Sequence, residues 1–376
     1  MSRMRIRTQR FLPPRSRIYR FLYQTGDFCS KQTLAQKCNI SMPTLYQNLS
    51  ELMNAGLVGY SGENQPTGGR KASGLTVIPE ARFAVGISVT EKRLRLSAVD
   101  LKFRETAFQK VPFVSVAQLP EQTGALADIL ETFLDENHLE RSRILGVGVA
   151  IPGVIAQSGN RILMAPTLRL RDTPLDGLTR DIPYPVYADN DAFCSGHAEW
   201  FLRGGQGNLA YLSLEYGVGG AVLIDGVPYC GDHRRSGEFG HMCVEMGGLP
   251  CCCGQRGCLE AYCSVRRISD DLGISLKEFF HRAETHEPEY ETLLYDVLRH
   301  LSVGINNIRL ALDCDVVLGG LLSEYLQPWI PVLKRYVMAG NPFEPDAEFV
   351  QLSVQRRHIA SMGAALHFVR QFVESV

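Results

Sequence analysis

The chain of 376 residues lacks any apolar run long enough to cross a bilayer, so no membrane span is expected. Its first residues, Met1-Ser2-Arg3-Met4-Arg5-Ile6-Arg7, are basic but lack the apolar core of a secretory leader, and none is expected. Net charge is almost absent: 39 Lys and Arg face 40 Asp and Glu, for a formal charge of −1. An even cysteine count is missing too. The chain has 11, several at metal-ligand spacing, which points to reduced thiols in a cytoplasmic compartment and away from a disulfide framework. What is present, 45% hydrophobic and 21% charged residues, is ordinary for a globular protein, and the length admits two or three domains.

The small net charge hides a segregation. Residues 1–82 hold twelve of the basic residues and four of the acids, which sets a head of +8 on a remainder of −9. Only the head is suited to a polyanion. Within it, Ile18, Phe21 and Leu22 fall at helical spacing over 16–24. Ser30 is placed to cap a helix through Cys38 that buries Leu34 and Ala35, and Asn39-Ile40 makes a tight turn. Ser41 caps a second helix with Pro43 in its first turn. This helix buries Leu45, Leu49, Leu52 and Met53 and stops at Gly56. Two short helices joined by such a turn are a helix-turn-helix. Residues 57–60 and 75–78 read as a two-stranded wing around a turn-rich stretch. Gln47 and Asn48 offer amides that pair with adenine edges, Ser41 and Thr44 offer short phosphate donors, and Arg70 and Lys71 offer charge at the wing tip. A winged helix that serves protein contacts alone is the alternative.

The stretch around which the rest is organised is Gly237-Glu238-Phe239-Gly240-His241, followed by Cys251-Cys252-Cys253-Gly254-Gln255-Arg256-Gly257-Cys258-Leu259-Glu260. Cys251, Cys253 and Cys258 lie in one loop whose glycines permit tight folding, and His241 can reach the same centre. Three thiolates and an imidazole make a closed, structural zinc set with Zn–S distances of ~2.3 Å. Buried free cysteines beside a surface histidine are the alternative, and Cys252 could replace a neighbour as ligand.

Glu-x-Gly-His followed by Cys-x-Cys-Gly-x-x-Gly-Cys-Leu-Glu resembles the ROK family of sugar kinases and sugar-responsive repressors. The resemblance implies that His241 holds zinc through one ring nitrogen and reaches a sugar with the other, and that Glu238 and Glu260 bind sugar hydroxyls. It implies that Thr67-Gly68-Gly69-Arg70-Lys71 is a DNA-approaching wing tip. It also implies an α/β fold: a winged helix-turn-helix over 1–82, then a duplicated actin-like, hexokinase-type body with lobes over 83–200 and 201–376, the last helix returning to the first lobe.

The body's own pattern agrees with two α/β halves flanking a cleft. Strands are expected over 83–87, 94–99, 110–116 and 144–150, a helix over 118–137, then strands over 209–214, 221–224 and 316–318. Val186–Ala192 fits the family's sugar-contacting strand end, where Asn190 and Asp191 would grip hydroxyls and Asp191 would be a vestigial general base. A turn capping a helix that begins near Phe193 is the alternative. Phe193 itself stands where the family usually has a second asparagine.

The nucleotide side is depleted. Phosphoryl transfer needs glycines and donors around the phosphates and a carboxylate for magnesium. Where the kinases have Asp-x-Gly-Gly-Thr-Lys, this chain has Ile87-Ser88-Val89-Thr90-Glu91-Lys92. Where they have Gly-Thr-Gly-x-Gly-Gly-Gly it has Glu215-Tyr216-Gly217-Val218-Gly219-Gly220-Ala221, with the remaining glycines expected to serve only as a turn. A carboxylate facing phosphate at 4 Å costs about 4 kcal/mol at an effective dielectric of 20. The expectation is therefore a non-enzymatic repressor, a homodimer or homotetramer on operator DNA, responsive to a sugar or sugar phosphate or to a regulatory protein. An ATP-dependent sugar kinase is the alternative. A thiol sensor built on Cys252, Cys243 and Cys263 is a more distant one.

Overall fold

The computed structural model describes residues 12–25, 28–61, 74–90, 93–112, 125–156, 160–355 and 357–376. Arg70 and Lys71, the rest of the wing tip, and Glu91 and Lys92 lie outside them.

The head begins with α1 (Pro14–Thr25), α2 (Lys31–Cys38) and α3 (Met42–Asn54). Both serine caps form: Ser30 Oγ accepts from Thr33 N and Ser41 Oγ accepts from Thr44 N, each satisfying an orphan amide of the first turn. Asn39 adopts the left-handed conformation between α2 and α3, and Gly56 does so after α3. Leu34, Leu45, Leu49 and Leu52 are buried as patterned, whereas Met53 is only half-buried. The wing strands β1 (Val58–Ser61) and β2 (Gly74–Val77) pair antiparallel.

The body has two five-stranded sheets of one design. The first comprises β3 (Phe83–Val89), β4 (Arg93–Asp100), β5 (Glu105–Pro112), β6 (Ile144–Ile151) and β10 (Val186–Asn190), in the order β10-β6-β3-β4-β5. Helix α4 (Ala125–Glu136) covers it, and β7 (Val154–Ile155), β8 (Arg161–Ala165) and β9 (Leu170–Pro174), with a short α5 (Asp176–Thr179), form a side sheet. After α6 (Asp191–Leu202) comes the second sheet: β11 (Leu209–Leu214), β12 (Val218–Ile224), β13 (Val227–Pro228), β14 (Asp315–Gly319) and β15 (Val350–Leu352), in the order β13-β12-β11-β14-β15. Each sheet has an antiparallel three-strand meander followed by two parallel strands. This is the duplicated, actin-like pattern. The second sheet carries α7 (Leu259–Cys263), α8 (Leu276–Glu284), α9 (Pro288–Leu312) and α10 (Ile330–Gly340).

Two sequence expectations need correction. The third strand starts at Glu105, five residues before the expected 110, because Val99 pairs with Glu105 straight after a tight turn; residues 113–116 lie outside the described ones. The first body helix, expected over 118–137, is present over Ala125–Glu136, and residues 118–124 lie outside the described ones. β12 starts at Val218, so Gly219 and Gly220 lie inside a strand. Their missing side chains let Phe239 and Ala192 approach its face, which is packing and not a turn. The helix expected near Phe193 is present and begins at Asp191.

The last helix, α11 (Ile359–Ser375), lies across β3, β6 and α6. It can lie that close because a Cβ at Gly86 would come 1.7 Å from the Ser361 carbonyl oxygen. Its far end meets the head: the Phe372 ring packs edge-on against Tyr19, with centroids 6.5 Å apart. Lys102 Nζ also donates to the Tyr23 carbonyl at 2.6 Å. Among the described residues no helix is long and apolar enough to cross a membrane.

Candidate functional site

The loop after β13 makes a short helical turn at Phe239–His241 and then folds back, with bridges between Cys243 and Cys258 and between Pro250 and Arg256. Gly257 has φ +79°, and a Cβ there would sit 1.7 Å from the Glu245 carbonyl oxygen, so the fold-back requires glycine. The metal-capable atoms of His241, Cys251, Cys253 and Cys258 then lie within 4.8 Å of one another. Cys253 and Cys258 sulfurs are 3.7 Å apart, and His241 Nδ1 is 3.8 Å from the Cys251 sulfur. A tetrahedron with ~2.3 Å metal–sulfur bonds has an edge of about 3.8 Å, so the donor set fits a zinc-sized cation. The thiols are also crowded: burial and its neighbours push Cys258 up to about 12, a penalty that a bound cation removes. With Nδ1 turned to the sulfurs, the other ring nitrogen of His241 is left for the cleft.

Cys252 joins Cys251 and Glu260 in a second, three-residue group. Its thiol donates to Glu260 Oε1 at 2.9 Å, while Glu260 Oε2 accepts from Val218 N at 2.9 Å. Glu260 is thereby fixed between the loop and β12. A second brace escaped sequence reading. The buried His300 of α9 hydrogen-bonds Glu245 Oε2 at 2.8 Å and stacks on Tyr262, 3.7 Å away, and Tyr262 OH accepts from Leu249 N. His300 sits on the apolar face of a 25-residue helix, and nothing in that pattern marks it as a loop support.

Across the cleft, Asn190 and Asp191 stand where β10 turns into α6. Asn190 is engaged by the backbone at both ends of its amide: Oδ1 accepts from Phe193 N, and Nδ2 donates to the Gly153 carbonyl at 2.9 Å. The capping alternative is thus real for Asn190, and any sugar contact uses its second proton or lone pair. Asp191 is half-buried, and desolvation pushes its carboxyl up to about 6. Glu238 is open to solvent on one side, while the cleft wall desolvates the other and raises its carboxyl. The charges of these residues act on one another, Glu238 on Asp191 and Glu260 on Glu238, so the strand end and the loop face each other.

On the other side of Asp191 is Glu215. Its Oε1 accepts from Leu321 N at 3.2 Å, and burial raises its carboxyl to about 7. Arg95 of β4, its Nε buried without a hydrogen-bond partner among the described residues, lowers both carboxyls electrostatically. Sequence reading passed over Arg95, since an arginine in an alternating strand looks like a solvated face.

In the head, Gln47 and Tyr46 are exposed on α3. Ser41 and Thr44 hydroxyls bond each other at 2.8 Å, and Asn48 Nδ2 donates to the Thr44 carbonyl. These three side chains are thus partly used by their own helix. Lys31 lies 4.9 Å above the Tyr46 ring, a half-buried cation on this face that the sequence reading omitted.

A head of capped short helices and a duplicated α/β body with a thiol–imidazole loop define the two-domain plan of a DNA-binding regulator related to sugar kinases. The ROK family model matches residues 84–370, and the chain belongs to the ROK family. It is 26% identical over 352 residues to a putative xylose repressor of Caldicellulosiruptor sp. (strain Rt8B.4), covering 87% of this chain and 88% of that one. It is 28% identical to a glucokinase of Halalkalibacterium halodurans, covering 69% of this chain and 86% of the other. Among solved structures, a ROK family transcriptional regulator described as a homolog of the E. coli MLC protein matches with a TM-score of 0.76. That match covers 96% of both chains at 18% identity, a likeness of fold.

Proposed function

We propose that this protein is a sugar-responsive transcriptional repressor that binds operator DNA and has lost phosphoryl transfer. The observation that carries the reading is a cleft in two conditions. On the side read as sugar-binding, Glu238 acts electrostatically on Asp191, and His241 and Glu260 act on Glu238; on the other side a buried carboxyl, Glu215, stands at the first position of the stretch that resembles the kinases' glycine-rich loop. The relative called a xylose repressor supports it. In this reading the head spans 1–82 and the lobes 83–200 and 201–376. Gln47, Ser41, Thr44, Asn48, Arg70 and Lys71 meet DNA, with Gln47 best disposed to reach a base.

His241, Cys251, Cys253 and Cys258 would hold zinc, which supplies a structural clamp on the loop. That loop's own residues then do the binding: Glu238 and Glu260 accept sugar hydroxyls, opposite Asn190 and Asp191. A cytoplasmic homodimer or homotetramer suits a helix-turn-helix, whose half-sites lie about 34–36 Å apart or multiples of that. A ligand that prefers one lobe arrangement shifts this spacing and so the DNA affinity. The test is to select genomic fragments on the purified protein and titrate the best one with and without hexoses, pentoses and their phosphates. A sugar-dependent change in affinity supports the reading, and failure to retain any fragment contradicts it.

The kinase reading has one observation in its favour beyond the glucokinase relative. A carboxyl raised to about 6 at Asp191 is near the range a general base uses. Sugar-dependent ADP formation in a coupled assay would establish it.

A further inference from the structure

Arg234 is a non-glycine residue at φ +54°, a conformation that side chains with a Cβ adopt only at a cost. It lies in the tight loop Cys230–Ser236, closed by Ser236 N donating to the Cys230 carbonyl, and leads directly into Gly237-Glu238. Its guanidinium leaves this loop and crosses to the other sheet, where Nη2 meets Asp189 Oδ1 at 2.6 Å. The two side chains are only 19% and 14% exposed. Asp189 is the residue before Asn190 and Asp191. Its other oxygen accepts from Tyr187 OH at 2.6 Å, and the Tyr187 ring lies flat on His367 of α11, 3.7 Å away and within 4° of parallel. Five residues beyond His367, Phe372 touches the head.

We propose that Arg234 is a positioning residue for the effector: its ion pair with Asp189 latches the loop that carries Glu238 to the strand end that carries Asn190 and Asp191, and Tyr187 and His367 connect this latch to α11. The inference rests on the sugar-cleft reading for its ligand, but the latch itself is a property of the chain alone. A half-buried ion pair holds its geometry because either charge left alone is poorly solvated. The strained backbone at Arg234 supplies the opposing tendency, so the loop is held by a contact and not by its own preference. A ligand bridging Glu238 and Asp191 would bind best to the latched form, which gives α11 and the head beyond it two distinguishable states.

Hydrogen–deuterium exchange on the full-length protein tests the latch without any ligand. R234G is the main variant, because glycine accepts φ +54°, so the ion pair is removed without adding backbone strain. R234G and D189N should each raise exchange by about tenfold in residues 230–241 and in α11. The double variant should add nothing further, and R234K should restore most of the protection. Exchange in β11 and β14 should stay unchanged, which separates latch opening from unfolding. Additive effects, or an α11 unmoved by R234G, would overturn the proposal. In a second arm, D-xylose, D-glucose and N-acetyl-D-glucosamine are titrated calorimetrically, and any that binds the wild type should bind R234G about tenfold more weakly. Undiminished affinity in R234G would overturn the positioning role. Wild type binding none of the three counts against the sugar reading, while the exchange arm still decides the latch.

Discussion

Cys252 donates its thiol to Oε1 of Glu260, 2.9 Å away, and groups with Cys251 and Glu260, not with Cys253 and Cys258. Of the two metal-capable groups, only His241, Cys251, Cys253 and Cys258 offers four donors, and it excludes Cys252. C252S should therefore retain one zinc per chain in a chelator-release assay, whereas C253S or C258S should lose it and melt at lower temperature. Loss of zinc on C252S alone would move the site.

Asp191 and Glu215 make a pH prediction with a definite sign. Both folded values are raised, to about 6 and about 7, chiefly by desolvation, from 3.8 and 4.5. The native state therefore binds protons more tightly than the unfolded one. Its stability from these groups is full below their unfolded values and is lost as pH rises through about 6 and 7. D191N and E215Q should stabilise the protein by roughly 1–3 kcal/mol at about pH 8, and the gain should shrink towards pH ~4. Denaturant unfolding at both pH values measures it, and a gain independent of pH would contradict the desolvation account.

Removing the exposed Gln47 amide should relax base preference at one operator position by about 1–3 kcal/mol without changing stability. S41A should instead cost about 1 kcal/mol of head stability, because that hydroxyl accepts from Thr44 N. Binding selection on Q47A and thermal melting of S41A distinguish the reader from the cap.

Phe372 packs on Tyr19, where the end of α11 meets the head. F372A should raise hydrogen exchange in α1 by about tenfold and leave the sheets unchanged, since a partly lost aromatic contact is worth about 1 kcal/mol or more. Unchanged α1 exchange would mean that the head is held by other contacts.

Legibility followed the length scale of the cause. The caps at Ser30 and Ser41, the stop at Gly56 and the cysteine–histidine cluster of the loop were readable because each depends on residues close in sequence. The third strand was misread by five residues because its register is set by pairing with β4. Gly219 and Gly220 looked like a turn, yet they serve the approach of Phe239 and Ala192 from distant positions. Arg95, Arg234 and His300 stayed hidden for the same reason: each acts through a partner on another element, and no local pattern records that. Asp189 was inside a run read as sugar-binding, but its role is set by Arg234, 45 residues away.

The central claim is that the cleft still receives a sugar but no longer a triphosphate. The most direct measurement follows the protein's affinity for a selected genomic DNA fragment by fluorescence anisotropy, with sugars and magnesium-ATP added separately and together while ADP is assayed in the same samples. The account predicts that a sugar alone shifts the DNA affinity, that magnesium-ATP neither shifts it nor modifies the effect, and that no ADP appears. Sugar-dependent ADP formation, or a DNA response that requires ATP, would contradict it.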